Sequence, residues 1–214
     1  SKVYEFTITA NGVATVNGTY TVTGNYNADG TAATTVTFTG GEATVYMKAG
    51  ETLSISGLPT GSYTVTEDSS SAKIDADQTD WTWTPTPALN ADLVTGGETL
   101  SFTNTYTRNT GALEIEKELI DSKSDGNPAE ASTKTYTFTI TGPVEANGTY
   151  SGIEFKNGVA KVETTGESSK TIENLPTGSY TVDEQDARTS YWTWNDPESI
   201  TKTVVKNDTI TATV

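Results

Sequence analysis

One ten-residue segment occurs twice in this chain, and that repetition constrains its fold more than any other feature. Leu58-Pro59-Thr60-Gly61-Ser62-Tyr63-Thr64-Val65-Thr66-Glu67 returns as Leu175-Pro176-Thr177-Gly178-Ser179-Tyr180-Thr181-Val182-Asp183-Glu184. Around it, Phe6-Thr7-Ile8-Thr9 returns as Phe138-Thr139-Ile140-Thr141, Trp81-Thr82-Trp83 as Trp192-Thr193-Trp194, and Gly50-Glu51 as Gly166-Glu167. A chain of 214 residues repeated in this way is expected to hold two tandem domains of one kind. Residues 1–107 form the first and 112–214 the second, with 108–111 as the linker.

Most segments alternate apolar and polar residues and are separated by turn signals: Asn11-Gly12, Asn17-Gly18, Asp29-Gly30, Asn147-Gly148 and Asn157-Gly158. No long run has helical periodicity. The expectation is all-β, two antiparallel sandwiches. Only 33% of residues are hydrophobic, so each core is thin, yet four Trp, ten Tyr and abundant Thr and Val suit half-buried strands rather than disorder.

The net charge of −15 makes nucleic acid and anionic membranes poor partners. The chain has no His, the commonest general base and metal ligand, and no Cys, which excludes disulfides and thiolate chemistry. No apolar run is long enough to span a bilayer, no secretion signal is visible, and no phosphate loop or nucleophile elbow supports a substrate-turnover enzyme. No cofactor or metal is expected. Small β-domains outside the cell usually carry a staple, and here it must be something other than a disulfide.

The copies are out of phase with the ends of the sequence. The second opens with a strand, Leu113–Ile120, and a polar loop before Tyr136-Thr137-Phe138, whereas the first begins almost directly at the equivalent Tyr4-Glu5-Phe6. The first closes with Leu100-Ser101-Phe102-Thr103-Asn104-Thr105-Tyr106, while the second stops at Ile210-Thr211-Ala212-Thr213-Val214, just short of the matching Asn. These offsets lead to the expectation of a piece of a longer repeat-bearing chain.

Three strands place a polar group on their apolar face, because residues of equal parity share a face. Lys117 aligns with Leu113, Ile115 and Leu119; Glu67 with Tyr63 and Val65, as Glu184 does with Tyr180 and Val182; Asn104 aligns with Leu100, Phe102 and Tyr106. A buried isolated charge is costly, so such groups find partners or shift their pKa. A desolvated Lys amine is a nucleophile, and a neighbouring Glu kept near its neutral form can polarise an Asn carboxamide and carry the proton to leaving ammonia. The product is a neutral Lys–Asn amide tying the first strand to the last, which would be the missing staple.

Leu-Pro-x-Gly-x-Tyr-x-Val-x-Glu, a first-strand Lys and a last-strand Thr-Asn-Thr-Tyr together resemble the Cna B-type and pilin isopeptide-linkage domains of Gram-positive surface proteins, across essentially the whole chain. The resemblance implies immunoglobulin-like sandwiches, an autocatalytic Lys–Asn bond and a stalk or pilus-shaft role, on the cell surface or in a cell wall-anchored fibre. Carried over by motif, Glu67 and Glu184 match the catalytic Glu, Lys117 the crosslinking Lys and Asn104 the crosslinking Asn. The copies depart from the pattern in complementary ways. Copy one has Glu67 and Asn104 without a first-strand Lys, since Lys2 aligns with Lys134; copy two has Lys117 and Glu184 without the Asn. The implied partners are adjacent domains or subunits of the same fibre, with strand exchange between neighbouring copies as a further possibility.

Other readings attach to smaller features. Trp81/Trp83 and Trp192/Trp194 share faces and offer either sandwich packing or an aromatic platform for a carbohydrate or host ligand. Asp75-Ala76-Asp77 and Asp121-Ser122-Lys123-Ser124-Asp125-Gly126-Asn127 have some calcium-ligand character but no closing Glu, so they read as solvated loops. Asn17-Gly18-Thr19 and Asn147-Gly148-Thr149 match glycosylation acceptors and read better as turns.

Overall fold

The computed structural model describes residues 2–12, 16–120, 129–185, 187–188 and 197–214. Apart from two single-turn helices, every regular element among them is a strand, so the chain is all-β. It divides into two compact units, residues 1–78 with 83–106 and residues 79–82 with 107–214. Residues 108–111, read as a linker, carry the end of one strand and the start of the next.

The first unit contains β1 (Val3–Asn11), β2 (Gly18–Tyr26), β3 (Ala32–Phe38), β4 (Glu42–Lys48), β5 (Ser54–Ile55), β6 (Gly61–Glu67), α1 (Ser69–Ala72) and β8 (Leu89–Leu93); β7 (Trp81–Thr84) and β9 (Thr105–Arg108) straddle the division. One sheet runs β3-β2-β4-β1-β6-β8, with the two-residue β5 on β2. Val22, Phe38, Val45 and Phe6 form its core.

The second unit is a sandwich of β10 (Thr110–Glu116), α2 (Ala129–Thr133), β11 (Thr135–Thr141), β12 (Gly148–Tyr150), β13 (Ile153–Phe155), β14 (Val159–Thr165), β15 (Ser169–Pro176), β16 (Gly178–Glu184), β17 (Ile200–Val204) and β18 (Thr209–Thr213). One sheet runs β14-β11-β16-β17 and the other β15-β10-β18. Phe138, Ile140 and Tyr180 from the first meet Leu113, Ile115 and Ile172 from the second, all with no exposed surface. The pairings are antiparallel except β10 on β18, which is parallel.

The repeated sequence adopts a repeated register. Phe6 lies opposite Val45 on β4 and Glu67 on β6, and Phe138 lies opposite Val162 on β14 and Glu184 on β16. Both Leu-Pro-Thr-Gly-Ser-Tyr segments close the same way. The hydroxyl of Tyr63 donates to the Pro59 carbonyl at 2.7 Å, and that of Tyr180 to the Pro176 carbonyl at 2.8 Å. Gly61 and Gly178 between them have φ of 150° and 141°, where a side chain is strongly disfavoured. The Asn157-Gly158 turn is of the expected type, with φ of 49° and 84°. Its counterpart is Gly40-Gly41, and the side chains of Asn17 and Asn147 brace these two turns by accepting from Gly40 N and Asn157 N.

Two strand expectations need correction. The opening strand of the second unit starts earlier and ends before Lys117, although Lys117 N still donates to Ser168 O at 3.0 Å. The closing strand Leu100–Tyr106 is not built as a strand; regular pairing begins only at Thr105. The expected faces are right, with Leu100, Phe102, Asn104 and Tyr106 half-buried and Ser101, Thr103 and Thr105 exposed. What is missing is a ladder. In the second unit β18 hydrogen-bonds to β10, and among the described residues of the first unit no strand occupies the position of β10; Thr103 bonds Thr86 instead, its carbonyl accepting from Thr86 N at 3.1 Å and its N–H donating to Thr86 Oγ1 at 2.8 Å.

Candidate functional site

Glu67 and Glu184 each end a central strand, β6 and β16, with their side chains turned into the core; they are 8% and 3% exposed. Parity explains the placement, since each follows an inward Tyr and Val at two-residue steps.

In the second unit Glu184 holds Lys117. Lys117 is 9% exposed, and its Nζ lies 3.0 Å from Glu184 Oε2 and 5.0 Å from the Tyr136 ring centroid. The other oxygen, Glu184 Oε1, is buried with no hydrogen-bond partner among the described residues. Lys117 is therefore matched by a carboxylate and does not stand alone as a desolvated amine. Val214 lies directly alongside it, its N–H donating to Glu116 O and its carbonyl accepting from Glu118 N, both at 2.9 Å.

In the first unit Glu67 holds Asn104. Asn104 Nδ2 donates to Glu67 Oε1 at 2.7 Å, and Trp83 Nε1 donates to Asn104 Oδ1 at 2.6 Å. An indole N–H can only donate, so it fixes which end of the carboxamide is oxygen. Glu67 thus meets the amide nitrogen and Trp83 the carbonyl oxygen, whereas the sequence alone points to Glu for both tasks. The sequence marks Trp83 only for packing or for a ligand platform. The repeated Trp-x-Trp marked it, but no spacing rule ties an indole to an Asn. Glu67 Oε2 is buried without a hydrogen-bond partner among the described residues. Trp192 and Trp194 lie outside the described residues, as does the Asp121–Asn127 loop.

Neighbouring elements hold this geometry. Asp68 caps α1, accepting from Ser70 N at 2.8 Å and Ser71 N at 3.2 Å. The Ala72 carbonyl at the end of α1 accepts from Tyr106 OH at 2.7 Å and Lys2 Nζ at 2.9 Å. Tyr106 is pinned two residues from Asn104, and burial pushes its phenol up to about 12. Lys2 is engaged on backbone carbonyls, as is Lys134 on those of Ala187 and Arg188, consistent with their alignment. Lys117 and Asn104 belong to different units.

Burial drives the Glu67 carboxyl above the ordinary carboxylate range, against the opposing pull of the Asn104 hydrogen bond and the Lys2 charge. A carboxyl raised on folding binds its proton more tightly in the folded state, so stability is fullest below the unfolded pKa and declines as pH rises through the folded one. Glu67→Gln keeps an acceptor for Asn104 and removes the titration. We expect hydrogen exchange in β1 and β6 to accelerate on going from acid toward neutral pH in the wild type beyond the intrinsic exchange rate, with this component absent in the variant.

Among the described residues, no three His, Cys, Asp or Glu side chains are gathered to hold a metal ion, and no helix is long and apolar enough to cross a membrane. The arrangement offers a buried carboxyl holding an amine in one unit and a buried carboxyl holding an oriented carboxamide in the other.

Residues 1–106 match the family described as a domain of unknown function, DUF7601, and residues 113–214 match another so described, DUF5979. No curated protein matches the chain. Among solved structures it is similar to the pilus-presented adhesin Spy0125 (Cpa), at 23% identity over 49% of this chain and 26% of that one, with a TM-score of 0.35. It is also similar to GBS52, the minor pilin of Streptococcus agalactiae, at 16% identity over 100% of this chain and 82% of that one, with a TM-score of 0.37. A third likeness is to BcpA, the major pilin subunit of Bacillus cereus, at 19% identity over 100% and 59%, with a TM-score of 0.27. The chain thus spans about a quarter of the adhesin's length.

Proposed function

We propose that this chain is a structural, load-bearing segment of a Gram-positive surface fibre, built from two tandem Cna B-like modules, each a site of self-made Lys–Asn crosslinking. It would act as pilus shaft or adhesin stalk, outside the cell, with neighbouring domains or subunits of the fibre as its partners. One observation carries the reading: Glu67 and Glu184 occupy matching register positions, and one holds an Asn while the other holds a Lys.

The two half-sites combine into one reaction. With the amine neutral, Lys Nζ attacks the Asn Cγ and the Nζ–Cγ bond forms. The carbonyl oxygen, which gains negative charge, receives the indole N–H that Trp83 already directs at Asn104 Oδ1. The buried Glu accepts a proton from Nζ and delivers one to Nδ2, the position Glu67 holds at 2.7 Å. The Cγ–Nδ2 bond breaks, ammonia leaves, and no cofactor or oxidant is consumed. The event happens once per module, so the chain modifies itself and turns over no substrate.

Mechanical pulling tests the load-bearing role. Thr-Asn-Thr-Tyr, the residues that follow Phe102 in the first copy, is added after Val214 to supply an Asn for Lys117. A bond from Lys117 to the added Asn shunts force past residues 118–214 and the added Thr, so this unit should add no unfolding length. A Lys117→Ala control should extend by about 3.3–3.6 Å per residue released. Full extension of the lysine-bearing chain would overturn the proposal.

A further inference from the structure

The second unit includes four residues from inside the first repeat, 79–82. The chain enters it there, leaves for residues 83–106 of the first unit, and comes back at Thr107. Residues 83–106 are thus an excursion with both ends in the second unit. A closed network of hydrogen bonds joins those ends around Thr177, the third residue of the second Leu-Pro-Thr-Gly turn.

Arg108 is the hub. Its Nη1 donates to the Asp80 carbonyl at 3.0 Å and lies 3.3 Å from Asp80 Oδ1, and its Nη2 donates to the Thr177 carbonyl at 2.6 Å. The Thr177 hydroxyl donates to Asp80 Oδ1 at 2.6 Å, and the Thr177 N–H donates to the Asn109 carbonyl at 3.0 Å. Asn109 completes the ring. Its N–H donates to the Asp80 carbonyl at 2.8 Å, and its carboxamide donates to the Thr79 carbonyl at 3.0 Å and accepts from the Thr82 hydroxyl at 2.6 Å. Thr177 and Asn109 are 2% and 5% exposed, whereas Thr60, the match of Thr177 in the first copy, is exposed. Buried polar groups need partners, and a connected network polarises its own bonds, so the ring holds its members in one arrangement.

What the ring brackets gives it a use. Within 83–106, residues 100–104 form no strand ladder, and Asn104 is placed by its side-chain bonds to Glu67 and Trp83. Tension drawn through Thr107 would peel such a segment away one bond after another, which needs little force. We infer that the ring is a mechanical latch. Pull on the chain passes between 79–82 and 108–109 through bonds loaded together, and residues 83–106, Trp83 and Asn104 among them, stay slack until the ring opens. The ring stands on its own bonds; its service under load rests on the load-bearing role proposed above.

The test pulls the whole chain by its two ends. Arg108→Met removes the guanidinium from the ring and keeps the aliphatic stem. The unaltered chain is expected to show no extension before a whole unit unfolds. The variant should first yield by up to about 80 Å, the extended length of 83–106 at about 3.3–3.6 Å per residue. Thr177→Val, which keeps the shape and removes the hydroxyl, should show the same early step at a force between the two. Without force, exchange of the Asn109 and Thr177 amides should quicken about 10–100-fold in Arg108→Met, as expected for the loss of charge-assisted bonds, while the amides of β11 keep their rate. Early extension of the unaltered chain, or none in Arg108→Met, would overturn the latch. Equal acceleration in β11 would overturn it too, because the ring would then be part of the core. Early yielding of the variants alone supports the latch even if the crosslinked chain described above unfolds to full length, a result that counts only against the Lys–Asn bond.

Discussion

Replacing Lys117 by methionine is expected to destabilise the second unit by about 3–5 kcal/mol, the usual effect of breaking a buried ion pair from one side. Methionine fills much the same volume, so the loss comes from Glu184, which is left in a core position with 3% exposure and its cation removed. The double variant Lys117→Met with Glu184→Leu should recover most of the loss, because a well-packed apolar pair often matches a buried ion pair. Urea unfolding followed by hydrogen exchange in β11 and β16 reads all three proteins. A single-variant loss below about 1 kcal/mol, typical of exposed pairs, would contradict the account.

The second large effect compares two phenylalanines at matching positions. Phe138→Ala should cost the second unit about 3–5 kcal/mol, because the side chain is sealed between two sheets and truncation leaves a closed void. Phe6→Ala should cost the first unit less. Phe6 is buried too, at 4% exposure, but it lines an open cleft in the first unit and meets Phe102 edge-on at 5.1 Å. Space removed there joins the cleft instead of forming a sealed cavity, so the cavity component largely disappears. Equal losses, read by exchange in β1 and β11, would mean that the first core is as closed as the second.

Much of this was legible in the sequence because strand parity is a strict rule. Lys117, Glu67 and Glu184 are buried where parity put them, and Asn104 shares its face with Leu100, Phe102 and Tyr106. The duplicated Leu-Pro-Thr-Gly-Ser-Tyr segment marked one local device, a tyrosine folded back on a proline carbonyl, and the device appears twice. Parity says nothing about pairing, however. Residues 100–104 have the right alternation and still form no ladder, since a strand exists only where a neighbour accepts its hydrogen bonds. The bond of Trp83 to Asn104 escaped for a related reason: it joins residues far apart in sequence through a side-chain donor that no periodicity encodes. That Lys117 and Asn104 fall in different copies, each with its own Glu, was readable from the sequence; that the first unit holds an open cleft of about 920 Å³ was not.

In the proposed reaction a buried Glu joins Lys to Asn once both stand beside it, and intact-mass measurement of the chain extended after Val214 by Thr-Asn-Thr-Tyr tests it. The predicted mass is that of the sequence less one ammonia, with the full sequence mass restored by Lys117→Ala or Glu184→Ala. A folded extended chain that keeps every ammonia would contradict the account.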